Sequence, residues 1–87
     1  MATASDIPNP ELQRRIIEFM VVCINDFAEK HNLSYIDAFN YLYDFGGLKF
    51  IEEFYNVEHT LSFEDVLDDI EAICAKNGGT VGLGAKG

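Results

Sequence analysis

The sequence predicts an all-α fold: a single-domain bundle of four helices in which the third is short and helix one is central. Its 87 residues are enough for one small domain. A content of 48% hydrophobic and 13% aromatic residues is typical of a globular chain with a core. Apolar residues recur at helical spacing in several stretches, which are separated by capping residues or glycines.

Helix-start and helix-stop signals divide the chain into elements. Asn9, Ser34 and Ser62 are expected N-caps, because their side chains can accept a hydrogen bond from the first amides of a helix. The pairs Gly46-Gly47 and Gly78-Gly79 are typical of helix ends. The predicted helices cover residues 10–30, 35–45, 48–55 and 62–77, with a connector at residues 56–61.

Two segments of different composition flank the predicted domain. Residues 1–9 are expected to form a flexible leader, residues 10–77 the helical domain, and residues 78–87, with five of the seven glycines, a disordered tail. The first ten residues lack the basic and apolar regions of a secretory signal, so we expect a cytoplasmic location. Cys23 and Cys74 are then expected to be free thiols.

The charge balance limits the classes of partner. Fifteen acidic residues against six basic ones give a net charge of −9. A surface of this sign repels nucleic acids and anionic membranes, so neither is an expected partner. Residues 51–75 contain eight acidic residues and no Lys or Arg. This segment is either a solvated surface or a docking surface for a basic partner, with Asp65, Asp68 and Asp69 as candidate contacts.

The motifs indicate no cofactor and no metal site. The acidic residues of the last helix lack the oxygen-rich loop and glycine of an EF-hand. Two histidines and two cysteines do not have the spacing of zinc ligands: His31, His59, Cys23 and Cys74. The glycines at residues 78–87 follow a predicted helix, whereas a phosphate-binding loop precedes one.

Helices one and two have unusually wide apolar arcs. These arcs cover roughly 200° and 220°, which is more than one neighbouring helix can bury. Aromatic side chains dominate both cores and protein interfaces, so position alone leaves two alternatives open. Either all eleven aromatic residues fill the core, or some form a recognition surface on helix two, with Tyr35, Tyr41 and Tyr43 as candidates.

A short connector motif, Tyr55-Asn56-Val57-Glu58-His59-Thr60, carries a resemblance to a known family. Together with core positions from residue 12 to residue 77, it resembles a small bacterial domain-of-unknown-function family. The resemblance implies a small helical fold without an established activity. Because such proteins are often encoded beside ADP-ribosyltransferase-like toxins, it also implies an antitoxin-like or accessory role. Tyr55, His59 and Thr60 therefore form a motif of unknown role, and no catalytic function is implied for them.

The sequence leaves three functional hypotheses. The leading one is a non-enzymatic acidic protein-interaction module, whose partner is basic or is a toxin-like product of a neighbouring gene. The second is a structural homodimer without a separate ligand. The third is a small enzyme in which His59 and a nearby carboxylate perform acid–base chemistry. For His59 the sequence favours a structural role through backbone hydrogen bonds.

Overall fold

A computed structural model describes residues 9–81. In these residues helices are the one kind of regular secondary structure, which confirms the predicted all-α class. The helices are α1 (Pro10–Lys30), α2 (Tyr35–Asp44), α3 (Gly47–Glu53), α4 (Tyr55–Glu58) and α5 (Phe63–Lys76). Four of them have seven residues or more, while α4 is a single turn that begins at the last residue of the third predicted helix and continues into the predicted connector. Over this part of the chain, no helix combines the length and apolarity needed to cross a membrane.

The three predicted N-caps make the hydrogen bonds expected of them. Asn9 Oδ1 accepts from the amides of Glu11 and Leu12 at 2.9 and 3.3 Å. Ser34 Oγ accepts from the Asp37 amide at 3.0 Å, and Ser62 Oγ accepts from the Asp65 amide at 3.1 Å. These bonds satisfy amides that have no partner inside the helix, so they fix the starting points of α1, α2 and α5.

Left-handed residues end three of the helices. Asn32 follows α1 with φ 55°, Gly46 follows α2 with φ 83°, and Gly78 follows α5 with φ 102°. At the end of α5 the Gly79 amide donates to the Cys74 carbonyl at 2.8 Å and the Gly78 amide donates to the Ala75 carbonyl at 3.1 Å. This is a Schellman motif, and its positive φ suits glycine because glycine has no Cβ.

The core lies where the second half of α1 meets α2, α3 and α5. Helix one is therefore central, as predicted. Phe27 of α1 is fully buried, as are Leu42 of α2, Ile51 of α3 and Ile70 of α5. Gly47 begins α3 in contact with this core, since a Cβ there would lie 2.9 Å from Leu42 Cδ2 and 3.2 Å from Cys74 Sγ. The absence of a side chain lets α3 approach α2 and α5 closely.

Part of the segment expected to be a disordered tail contacts the helices. Gly79 is buried, and Val81 packs against the core while its amide donates to Tyr41 Oη at 3.0 Å. The domain thus continues beyond the predicted boundary at residue 77 for at least four residues. The rest of the predicted tail, residues 82–87, lies outside the described residues, as does the predicted leader up to residue 8.

The close approach at α3 can be tested with Gly47→Ala. The added methyl group overpacks a buried contact, so we expect the free energy of unfolding to fall by about 1–3 kcal/mol in urea denaturation. Lys49→Ala, at an exposed position of the same helix, is the control and should change it by less than about 0.5 kcal/mol. Equal stability of the two variants would contradict the close packing of α3.

The contact of Val81 can be tested with Tyr41→Phe. Loss of the hydroxyl leaves the Val81 amide without its acceptor, so we expect a destabilisation of about 1 kcal/mol in thermal or urea unfolding. Tyr43→Phe is the matched control, because the Tyr43 side chain is largely exposed. If Tyr41→Phe and Tyr43→Phe are equally stable, residues 78–81 do not pack as described.

Candidate functional site

A continuous apolar surface lies along α1 and α2, and we call it the α1–α2 face. A groove of about 360 Å³ runs between the two helices, with Leu48 of α3 at its floor. Two of its residues are strongly exposed: Ile36 at 62% and Ile17 at 52%. The residues of the face are Ile17, Met20, Val21 and Ile24 from α1 and Tyr35, Ile36, Phe39 and Tyr43 from α2.

The face exists because α2 is apolar on two sides. Ala38 and Leu42 are fully buried against the rest of the domain. Ile36, Phe39 and Tyr43, at spacings of three and four residues, occupy the outer side and stay exposed. No described element packs over this outer side. The wide apolar arc of the sequence is thus divided between a core side and an uncovered side.

The candidate tyrosines of α2 lie in two different environments. Tyr35 and Tyr43 belong to the α1–α2 face, and Tyr43 stacks on Phe39 with ring centroids 6.2 Å apart. The structure does not bring Tyr41 to this face. Its ring packs between Phe27 and Phe45 at centroid distances of 5.6 and 4.9 Å. Burial raises the pKa of its hydroxyl, which accepts the hydrogen bond from Val81.

A wider and more polar depression of about 820 Å³ continues the groove toward α3. The groove and the depression share Met20, Phe39 and Leu48. Charged side chains line its outer part: Asp44, Lys49 and Glu52. The face is therefore apolar along its length and predominantly acidic at one end.

The candidate aspartates of α5 do not form one uniform acidic surface. Asp65 lies in the first turn, and Asp68 Oδ1 lies 3.8 Å from Lys30 Nζ. Lys30 also contacts Glu71 Oε2 at 2.8 Å, and that hydrogen bond raises the pKa of Lys30. His31 Nε2 lies 2.7 Å from the same oxygen. Part of this negative charge is thus used in joining the end of α1 to α5.

Asp69 faces a buried carboxyl group on α4. Glu58 is only 4% exposed, and its Oε1 is buried with no hydrogen-bond partner. Burial, a hydrogen bond with Asp69 and the charge of Asp69 together raise the pKa of Glu58 from its ordinary value to about 7. The two carboxyl groups can bond only while a proton lies between them, and the raised pKa of Glu58 keeps such a proton in place up to about pH 7. The sequence alone instead assigns Glu58 to the acidic residues of a solvated or docking surface.

The connector motif forms a local cap on α4. His59 Nδ1 donates to the Tyr55 carbonyl at 2.7 Å, and its ring stacks on the Tyr55 ring at 4.5 Å. Thr60 Oγ1 donates to the Val57 carbonyl at 2.6 Å. Tyr55 in turn packs edge-on against Phe19 of α1 at 5.5 Å. The motif therefore attaches α4 to α1. The His59 imidazole bonds to the backbone, whereas the neighbouring Glu58 contacts Asp69.

The two thiols are poorly suited to nucleophilic chemistry. Both are buried, and burial raises the pKa of Cys23 to about 12 and that of Cys74 to about 11. They are therefore protonated at neutral pH, whereas the thiolate is the nucleophile. Within residues 9–81, no three His, Cys, Asp or Glu side chains are grouped so that they could hold a metal ion.

Sequence reasoning identified two of the eight residues of the α1–α2 face, Tyr35 and Tyr43. It did not single out the aliphatic residues, because isoleucine and valine at helical spacing are typical of a core. The available signal was the width of both apolar arcs. Two adjacent helices that each exceed what one neighbour can cover leave a shared surface open.

Glu58→Gln tests the buried carboxyl pair. A folded-state pKa of about 7 against an ordinary 4.5 means that the folded chain binds this proton more tightly. Its contribution to stability is therefore present below pH 4.5 and is lost as the pH rises through 7. Relative to wild type, we expect Glu58→Gln to be equally stable at pH 4.5 and more stable at pH 8, by up to about 3 kcal/mol.

The measurement is urea denaturation of wild type and variants at several pH values. Glu53→Gln, at an exposed position, is the control and should follow the wild-type pH profile. A Glu58→Gln profile parallel to that of wild type would show that Glu58 does not titrate in this window.

Comparison with known proteins identifies a family. A family described as "Protein of unknown function (DUF3791)" matches residues 18–77, which is more than half of the chain. No curated protein matches, and no solved structure does either. The matched range begins within α1 and includes α2 to α5 and the connector motif. The chain therefore belongs to this family of proteins of unknown function.

Proposed function

We propose that the chain is a non-enzymatic protein-interaction module of the cytoplasm that binds a positively charged protein partner through the α1–α2 face. The observation that carries this proposal is the uncovered apolar surface along α1 and α2. An antitoxin-like or accessory role toward a toxin-like product of a neighbouring gene is one form of this function.

The size of the face supports binding rather than chance exposure. Six of its eight side chains are at least 38% exposed, whereas monomeric proteins rarely expose large contiguous apolar patches without a function. Burial of such a surface contributes favourably at about 25 cal/mol per Å² before the cost of association is subtracted. Its three exposed aromatic rings, Tyr35, Phe39 and Tyr43, are of the kind enriched in interface cores.

The charge of the chain favours a basic partner. The net charge is −9, and several cations already contact carboxylates. Arg15 lies 3.0 Å from Glu11, and Lys30 contacts Asp68 and Glu71. A negative surface of this kind accelerates encounter with a positively charged protein and slows encounter with an acidic one.

The two other hypotheses have weaker support. A homodimer would bury the same face, but it would bring together two chains that each carry a charge of −9. An enzyme that uses His59 needs a carboxylate beside the imidazole. The adjacent Glu58 instead contacts Asp69, and His59 Nδ1 bonds to the Tyr55 carbonyl.

Site-specific photo-crosslinking in the native cell tests the proposal. A photoreactive amino acid is placed at Ile36 of the face or at Val57 of α4, which are similarly exposed at 62% and 56%. We expect position 36 to yield an adduct with one basic protein that position 57 does not yield. That protein, once purified, should bind the wild-type chain and the Val57→Asp variant alike, and Ile36→Asp at least about tenfold more weakly, since a charge on the face must be desolvated.

Three results would contradict the proposal. The first is an adduct at position 36 with a second copy of the chain, which would favour the homodimer. The second is an adduct within the same chain, which would mean that the face is covered internally. The third is equal binding of the purified partner to Ile36→Asp and Val57→Asp, which would place its contact elsewhere.

A further inference from the structure

Resting on the proposed function, we infer that the occupant of the α1–α2 face is an amphipathic α-helix of a partner protein, with an apolar stripe that fills the groove and basic residues along its edges. Three features of the face carry this inference: its length, the backbone chemistry of its floor, and the charges around it.

The length of the groove fits a helix of a few turns. On α1 the lining residues run from Ile17 to Ile24, and on α2 they run from Tyr35 to Tyr43. At 1.5 Å per residue each stretch is about 10–12 Å long, which corresponds to two helical turns. A third helix laid between them would present residues at spacings of three and four, the same spacing that exposes Ile36, Phe39 and Tyr43.

The apolar floor favours a helix over an extended segment. The groove is lined almost wholly by carbon atoms of aliphatic and aromatic side chains, including Ile17, Val21 and Ile36. An extended peptide would place backbone N–H and C=O groups on this floor without partners, at a cost for each group. A helix satisfies these groups internally, and the described residues form no sheet to which a strand could add.

The charges around the face specify basic edges on that helix. Asp44 and Glu52 line the wider depression at one end of the face. Lys49 is the one cation among the residues that line the depression. Lysine or arginine beside the apolar stripe would meet these carboxylates at the rim, where complementary charge chiefly sets specificity and the rate of association. A second copy of the chain would instead bring carboxylates to the same rim.

The probe is a synthetic 18-residue peptide with leucine at helical spacing of three and four and lysine at the other positions. One control peptide has the same composition but distributes leucine around the helix. A second keeps the leucine stripe and replaces each lysine with glutamate. Fluorescence anisotropy gives the dissociation constants, and circular dichroism reports whether the peptide becomes helical on binding.

We expect the leucine–lysine stripe peptide to gain helix content on binding and to bind wild type at least about tenfold more tightly than either control peptide. Ile36→Asp and Tyr43→Ala should each weaken this binding at least about tenfold, whereas Val57→Asp should change it less than about twofold. Both face residues are largely exposed, so these substitutions should leave the fold intact, which a thermal melt verifies.

Several outcomes would overturn the inference. Equal binding of the rearranged peptide would show that charge alone drives association, and equal binding of the glutamate peptide would remove the basic edges. An equal loss with Val57→Asp would place the contact outside the face. The photo-crosslinking experiment tests the proposed function independently of these peptides. A photo-crosslinked partner that contacts position 36 through an extended or acidic segment would support the interaction module and contradict the helical occupant.

Discussion

The domain has more apolar helix surface than its own elements can cover, and this constraint determines most of its organisation. Four residues join α1 to α2, so the two helices lie side by side and share one core. α3 and α5 complete that core on one side, where Leu42 and Ile70 are fully buried. The opposite side of α1 and α2 receives only Leu48 at its floor. The α1–α2 face is the apolar surface that stays open on that side.

The two glycine pairs keep this arrangement compact. Gly46 turns the chain with a positive φ, and Gly47 lets α3 begin against the core. Asn77 Nδ2 then donates to the Phe45 carbonyl at 2.8 Å, which joins the end of α5 to the same turn. Gly79 continues the connection, because its missing side chain leaves room for the Tyr41 ring. These contacts join α2, α3 and α5 to one another, while the α1–α2 face stays uncovered.

Local signals in the sequence were enough for most of the fold. Each N-cap lies within three residues of the amides it satisfies, so Asn9, Ser34 and Ser62 could be identified from spacing alone. The single turn α4 could not, since its caps come from His59 and Thr60 bonding back to carbonyls in a segment without strong helix signals.

The site was harder to predict because it depends on contacts between distant residues. Tyr41 and Tyr43 are two positions apart and face opposite sides of α2. Tyr41 is the one held inside because its ring contacts Phe27 and Phe45 and its hydroxyl bonds to Val81. Glu58 has the same chemistry as its exposed neighbours along the chain. Unlike them it is buried and contacts Asp69 on another helix, and no local pattern encodes that contact.

The exposure of the α1–α2 face in the isolated chain can be measured by NMR with a soluble paramagnetic probe added to methyl-labelled protein. The account predicts strong broadening of the Ile17 and Ile36 methyl signals, independent of protein concentration, and weak broadening of those of Ile51 and Ile70, which are fully buried. Methyl signals of Ile17 and Ile36 as protected as those of Ile70 would contradict it, because the face would then be covered within the chain or by a second copy.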